Sequence, residues 1–189
     1  MTTQTIQSTP ATTTWQIDPS HSHVEFAVRH LMISTVKGRF SDVQGVVTTT
    51  GDDLSTATVD ATIAVASIDT REPQRDAHLK SADFFDAETF PVLTFKSRRV
   101  EPRANGEFAL VGDLTIHGVT REVAFDVVSE GAGRDPWGNQ RTGFSAKAKI
   151  SRKDFGLTWN QVLETGGIAV GDEVKISIDT ELVAKAVAA

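Results

Sequence analysis

The sequence predicts an all-β protein of about eight antiparallel strands, and three observations carry that expectation. Apolar residues recur at every second position along most of the chain. Turn signals rich in Gly, Asn and Asp separate these runs. Only one segment, at about residues 72–88, leaves the period and reads as a short helical insert. A strand sends alternate side chains to opposite faces, so a period of two marks strands with one dry and one wet face, which pair antiparallel.

Taken in order, Val24, Phe26, Val28 and His30 share one face of the first clear run, with Glu25, Ala27 and Arg29 on the other. A weaker strand is expected near Gly38 to Thr49. Val59, Ala61, Ile63 and Val65 follow, and then Leu93 with Phe95. Phe108, Leu110, Leu114 and Ile116 oppose Asp113 and Thr115. Val123, Phe125 and Val127, then Phe144, Ala146, Ala148 and Ile150, and finally Val174, Ile176 and Ile178 complete the set. The turns fall at Thr50-Gly51-Asp52, Ala104-Asn105-Gly106, His117-Gly118, Asp135-Pro136-Trp137-Gly138-Asn139 and Gly166-Gly167. In the insert, Pro73 suits a helix start, Ser81 and Asp83 offer a second cap or turn, and Pro91 closes the segment, giving one or two short helices.

At 189 residues the chain is long enough to bury a core without staples. It has no cysteine, which excludes disulfides, thiolate metal sites and Cys nucleophiles. A net charge of −6 argues against nucleic acid or an anionic membrane surface as the main partner. No apolar stretch approaches the ~18 residues that a spanning helix needs. The Thr/Gln-rich N-terminus has no basic and apolar leader pattern. Residues 1–13 are expected as a disordered tail and 14–186 as a single domain, with a cytoplasmic location.

Eight such strands close into a barrel or stack as a sandwich. Several inward positions are small, among them Ala61, Ala146 and Ala148, and the four inward phenylalanines at 26, 95, 125 and 144 look too few to fill a wide barrel. Because interiors pack densely, the shortfall implies a flattened sandwich, a plug of loops and helices, or a guest.

The stretch HSHVEFAVRH holds three histidines. On a strand His21 and His23 face one way and His30 the other, and His23 and His30 lie roughly 23 Å apart at ~3.3 Å per residue. Zinc ligands converge within about 2 Å of one ion, so this is not a three-histidine site. His21 follows Asp18-Pro19-Ser20 and reads as a turn residue. His30 ends an inward apolar face, where a polar group needs a partner, either the protein or a ligand. Arg99 and Arg152 are in phase with apolar faces; each reads as a salt-bridge residue or as a contact for an anionic head group. Trp159 and Phe155 are loop anchors or a pocket lid. Trp137 reads as a turn residue packed over an edge. G-x-S-x-G, H-E-x-x-H and P-loop signatures are absent.

These residues resemble the YceI-like, polyisoprenoid-binding family from Trp15 to about Val183. The matching pieces are D-P-S-H-S-H-V-E-F (Asp18 to Phe26), V-R-H (Val28 to His30) and S-I-D-T (Ser67 to Thr70). They continue with R-D-A-H-L-K-S-A-D-F-F-D (Arg75 to Asp86), F-P-V-L-T-F-K-S (Phe90 to Ser97) and G-D-L-T-I-H-G-V-T (Gly112 to Thr120). R-K-D-F-G (Arg152 to Gly156) and V-G-D-E-V (Val170 to Val174) close the series. The resemblance implies an eight-stranded, lipocalin-like extended barrel with a helical insert and a pocket for a long isoprenoid chain, a polyprenyl phosphate or quinone-type lipid. Homodimers and export to the periplasm are family traits; the second fits poorly with the missing leader pattern.

The function expected is therefore non-enzymatic binding, storage or transport of an isoprenoid lipid, with no catalytic residue, metal or cofactor. Phe26, Val28, Ile63, Phe95, Phe125, Phe144, Ala146, Ala148 and Ile176 are the expected lining, and His30, Arg152 and Trp159 the expected mouth contacts. The competing readings are an enzyme acting on a lipid head group through groups such as His30 and His78, and a packed sandwich that serves as an interaction module.

Overall fold

The computed structural model of the chain describes residues 11–51, 53–163 and 167–185. The first ten residues of the expected tail, the end of the expected domain at residue 186, and parts of the turn signals at residues 50–52 and 166–167 lie outside them. The chain enters the sheet at Thr12, inside the segment expected as tail, because Thr12 to Gln16 find partners in Thr50 to Val46.

The strands are β1 (Thr12–Ile17), β2 (His23–His30), β3 (Ser34–Phe40), β4 (Val43–Thr50), β5 (Asp53–Ala64) and β6 (Ile68–Asp69). The helix α1 (Pro73–Lys80) comes next, followed by β7 (Val92–Pro102), β8 (Glu107–Ile116), β9 (Val119–Arg134), β10 (Gln140–Ser151) and β11 (Val170–Ala184). They make one sheet that closes on itself where β1 pairs with β11, Trp15 opposite Ala184. The eleven segments reduce to the eight expected walls. β1 and β2 are two halves of one bent strand along β11, β3 and β4 are two halves of the next, and β6 prolongs β5 beyond a 3₁₀ turn at Val65–Ser67. The protein is a closed eight-stranded antiparallel barrel with one short helix.

Each bend has a local cause. At the first, Asp18 accepts from the Ser20 backbone N–H (3.0 Å) and hydroxyl (2.5 Å), an Asx turn, and the Glu181 N–H donates to Ser22 Oγ (3.1 Å), so the bend leaves it satisfied. In β7 the register shifts between Ser97 and Arg99; an extra residue flips every later side chain, and Ser97 Oγ accepts from Val59 N there (2.7 Å). Arg99 consequently points outward, where Glu101 and Glu122 pair with it, and the inward alternative is corrected.

The insert forms a single helix. Pro73 opens it, and Glu72 caps it by accepting from Arg75 N (2.7 Å). Ser81 ends it: its hydroxyl donates to the His78 carbonyl at 2.7 Å, and residues beyond it run as turns. The Ser81 hydroxyl also accepts from Asp83 N at 3.4 Å, and the expected second cap or turn is a turn, with no second helix after it.

Packing is uneven along the barrel axis. Phe40, Val65, Ile68, Ile116, Phe155 and Leu157 are buried at the end that carries the insert. At the other end, formed by the β4–β5, β7–β8 and β9–β10 turns, no buried residue interrupts Ser129 to Arg134. The core is solid at one end and hollow toward the other.

Candidate ligand cavity

The hollow part is a cavity of about 840 Å³. Parity along the strands puts Val24, Phe26 and Val28 from β2, Val59 and Ile63 from β5, and Phe144 and Ala146 from β10 on its wall. Two glycines help to keep it empty. Gly38 lies opposite Phe26 on β3, and a Cβ there would sit 2.4 Å from Phe26 Cζ. Gly112 on β8, opposite Ser97, lies diagonal to Phe95, and a Cβ there would sit 2.6 Å from Phe95 Cζ. Both rings reach over a glycine in the neighbouring strand, in space that any side chain there would take. Phe95 also meets Phe125 edge-on, with 5.3 Å between centroids.

Of the twelve residues singled out in the sequence, the cavity wall includes Phe26, Val28, Ile63, Phe95, Phe125, Phe144, Ala146, Arg152 and Ile176. Ala148, His30 and Trp159 lie off it. Ala148 has the right parity, but its methyl packs into the core cluster and stops short of the lumen. His30 is the last residue of β2, pairing with Ser34 and Val170; Val170 is on the wall and His30 is not. The ring of Trp159 stacks edge-on against His78 (4.8 Å) and lies tilted on Phe84 (5.2 Å), pinning the insert from outside.

The expected mouth is the plugged end. Phe155, 1% exposed, Leu157 and Phe84 close it with Leu79 and Phe85 of the insert. Arg152, 4% exposed, is consumed there. It donates to the carbonyls of Gly171 (2.9 Å), Leu157 (2.6 Å), Trp159 (2.8 Å) and Val170 and pairs with Asp172 at 3.4 Å. Burial pushes its pKa down from the usual guanidinium value, against the raising effect of Asp172. It ties the Arg152–Phe155 turn to the start of β11, its donors engaged by these groups. The mouth contacts expected of His30, Arg152 and Trp159 are therefore corrected: the exposed part of the wall is at the opposite end, at Gly131 to Arg134 and Gln140, with half-buried Gly51 also on the wall. These small and polar residues lack the hydrophobic period, and only closure of the barrel brings them together.

The strongest electrostatics sit beside that mouth. Arg141 bonds Asp18 (2.7 Å), Asp135 (2.9 Å) and Glu181. The Ser20 hydroxyl first, then Arg141 and His21, hold Asp18 well below the usual carboxylate range. Asn139 and then Arg141 do the same for Asp135, and the three carboxylates, Asp135 foremost, raise Arg141. Asp18, His21 and Glu181 place ligand atoms within 4.8 Å of one another, but both carboxylates already pair with the Arg141 guanidinium. His21 takes its expected place in the turn, 2.9 Å from Asp18, and His23 faces outward toward Asp179 at 3.4 Å. Among the described residues no helix is long and apolar enough to cross a membrane.

Residues 15–182 match the YceI-like domain. The chain belongs to the YceI-like family. A UPF0312 protein of Staphylococcus aureus strain N315 is 41% identical over 170 residues, which covers 89% of this chain and 96% of the relative. Among solved structures, BcnA of Burkholderia cenocepacia superposes with a TM-score of 0.76 at 24% identity, covering 87% of this chain and 98% of that one. A polyisoprenoid binding domain from Saccharophagus degradans does so at 0.69 and 14% identity, covering 90% and 98%. At these identities the two structures share the fold.

The YceI-like sequence pieces become intelligible in three dimensions, because they join in pairs. Thr70 of S-I-D-T donates to Asp76 of R-D-A-H-L-K through N (2.9 Å) and Oγ1 (2.5 Å), and Arg75 returns two bonds to Thr70. Phe90, which opens F-P-V-L, meets His117 of the H-G turn edge-on, with 4.8 Å between centroids. R-K-D-F-G and V-G-D-E-V meet through Arg152. Every piece but S-I-D-T also contributes at least one residue to the cavity wall.

Proposed function

We propose that this protein binds, stores or carries a long-chain isoprenoid lipid, a polyprenyl phosphate or a quinone-type lipid, without changing it chemically. The observation that carries the reading is the 840 Å³ apolar cavity, plugged at one end and exposed at the other. A branched hydrocarbon matches such a wall, and polar groups are needed only at the mouth, to orient a head. Supporting it, the Saccharophagus degradans domain of the same fold is described as polyisoprenoid binding.

Size narrows the occupant. At ~30 Å³ per atom-sized unit, water's share of its liquid volume, the cavity takes about 28 carbons, five to six isoprene units. At ~0.8 kcal/mol per buried CH₂ one unit supplies at most about 4 kcal/mol. Five units then approach the practical ceiling of roughly 18 to 21 kcal/mol, so ordering of the tail offsets part of the gain. Affinity needs no specific polar contact. The enzyme reading leaned on His30 and His78. Neither lines the cavity, and His78 is engaged by Asp83 at 2.9 Å.

The test is organic extraction of protein purified from its native host, with mass spectrometry of the extract, beside uptake of a prenyl quinone from detergent. A co-purifying prenyl lipid is expected. Ala146→Trp, which puts an indole into the lumen, is expected to lower uptake at least tenfold while the barrel still folds. An empty extract together with no uptake by the wild type rejects the reading.

A further inference from the structure

The β9–β10 hairpin carries a feature that lipid binding inside the barrel does not use. β9 pairs with β8 only as far as Val128, opposite Glu107. Beyond it, Ser129 to Arg134 pair with β10 alone and are exposed at every position. Six residues at ~3.3 Å each lift the hairpin about 20 Å past the last β8 pairing. At its tip stands Trp137, 81% exposed, so the packed edge residue expected from the sequence is corrected. Tryptophan is among the residues most costly to leave in water, and its ring prefers the boundary between headgroups and acyl chains.

The tip is held ready rather than floppy. Asp135 accepts from the backbone of Trp137 (3.0 Å) and Asn139 (2.9 Å), from the Asn139 side chain (2.8 Å) and from Arg141. Gly138, at φ +90°, completes the turn. Insertion of the indole would therefore cost little ordering of the backbone. Arg134, next to the tip, has one modest bond, to the Gly138 carbonyl at 3.2 Å, and pairs with no carboxylate among the described residues. Two arginines, Arg134 and Arg141, share this rim with four carboxylates, Asp18, Glu130, Asp135 and Glu181, which leaves it net negative. Such a rim suits a zwitterionic bilayer and not a polyanionic partner. The same residues, Gly131 to Arg134, edge the cavity mouth.

We propose that this hairpin docks the barrel mouth onto a phosphatidylcholine-like bilayer surface, with Trp137 seated at the headgroup boundary and Arg134 on a lipid phosphate. The choice of a bilayer over a protein partner rests on the isoprenoid reading, since a lipid cargo must leave and enter a membrane. The test uses the full chain with dioleoyl phosphatidylcholine vesicles that contain a fraction of acyl-brominated lipid and no prenyl lipid. Bromine is expected to quench the wild-type tryptophan fluorescence. Trp137→Phe is expected to lose most of that quenching, since Trp15 and Trp159 lie in the wall and behind the insert. Trp137→Ala is expected to lower co-sedimentation with vesicles about tenfold and Arg134→Gln at least threefold, while Trp137→Ala takes up a prenyl quinone from detergent like the wild type. No sedimentation of the wild type, or equal quenching in Trp137→Phe, overturns the proposal and leaves the tip to a protein partner. Failure of detergent uptake with vesicle docking intact rejects the isoprenoid reading alone and leaves the docking surface standing.

Discussion

Arg141 reaches Asp18 in the β1–β2 bend, Asp135 in the β9–β10 turn and Glu181 in β11. It thereby ties together three chain segments that are remote in sequence. The linkage with pH has a definite sign. Both aspartates are held below their ordinary values, so their contribution is full above the unfolded-state pKa of about 3.9 and drains away as pH falls through and below it. Arg141→Gln is expected to lower the melting temperature at pH 7 and to lie closer to the wild type at pH 2.5. A melting-temperature gap that stays constant from pH 7 to 2.5 would show that the guanidinium acts through packing alone. At this scale the sequence was partly legible. Alternation identified Phe26, Ile63, Phe95, Phe125 and Ala146 as wall residues, but parity alone does not tell how far an inward side chain reaches, and Ala148 was lost for that reason.

At the scale of elements, the insert and the Arg152–Phe155 turn act as a stopper. Arg152 serves four main-chain carbonyls at once, which needs the planar fork of a guanidinium. Lysine is a compact charge and leaves some of those acceptors unpaired at ~1–3 kcal/mol each. Arg152→Lys is therefore expected to lower stability by at least ~2 kcal/mol in urea unfolding, with uptake of lipid by the folded fraction retained. Unchanged stability with lost uptake would return Arg152 to the head-group role that the sequence suggested. The turn between β8 and β9 has the same bracing character. His117 and Gly118 both have positive φ, 52° and 71°, and a Cβ on Gly118 would lie 2.5 Å from Phe90. Strands, turns and the helix start were readable because their causes are local: alternation, glycine at the turn, proline at the helix start. The bulge at Ser97–Arg99 was not, since nothing local marks a one-residue slip, and Arg99 changed faces with it.

For the whole molecule the consequence is a barrel stoppered at the helical end and open at the hairpin end. A cavity for about 28 carbons predicts a saturation with tail length, at ~30 Å³ per atom-sized unit. In competition binding with prenyl quinones, affinity is expected to climb with each isoprene unit up to five or six and then to level off, as further units emerge from the mouth. A steady climb to ten units would mean that the cavity expands or that a second groove takes the tail. The polarity of the barrel was the least legible feature. His30, Arg152 and Trp159 are polar or amphipathic groups at strand ends, the usual mark of a rim, yet tertiary packing turned their end into the floor.

The sequence by itself determined the antiparallel all-β architecture, the helical insert, the family and part of the cavity wall, because each depends on periodicity or on short ordered motifs read along the chain. The tertiary structure alone decided which end opens, where Arg152 spends its donors and that Trp137 stands free in solvent. Those outcomes depend on groups up to 163 positions apart, as Asp18 and Glu181 are around Arg141, and no local rule relates them until the barrel closes.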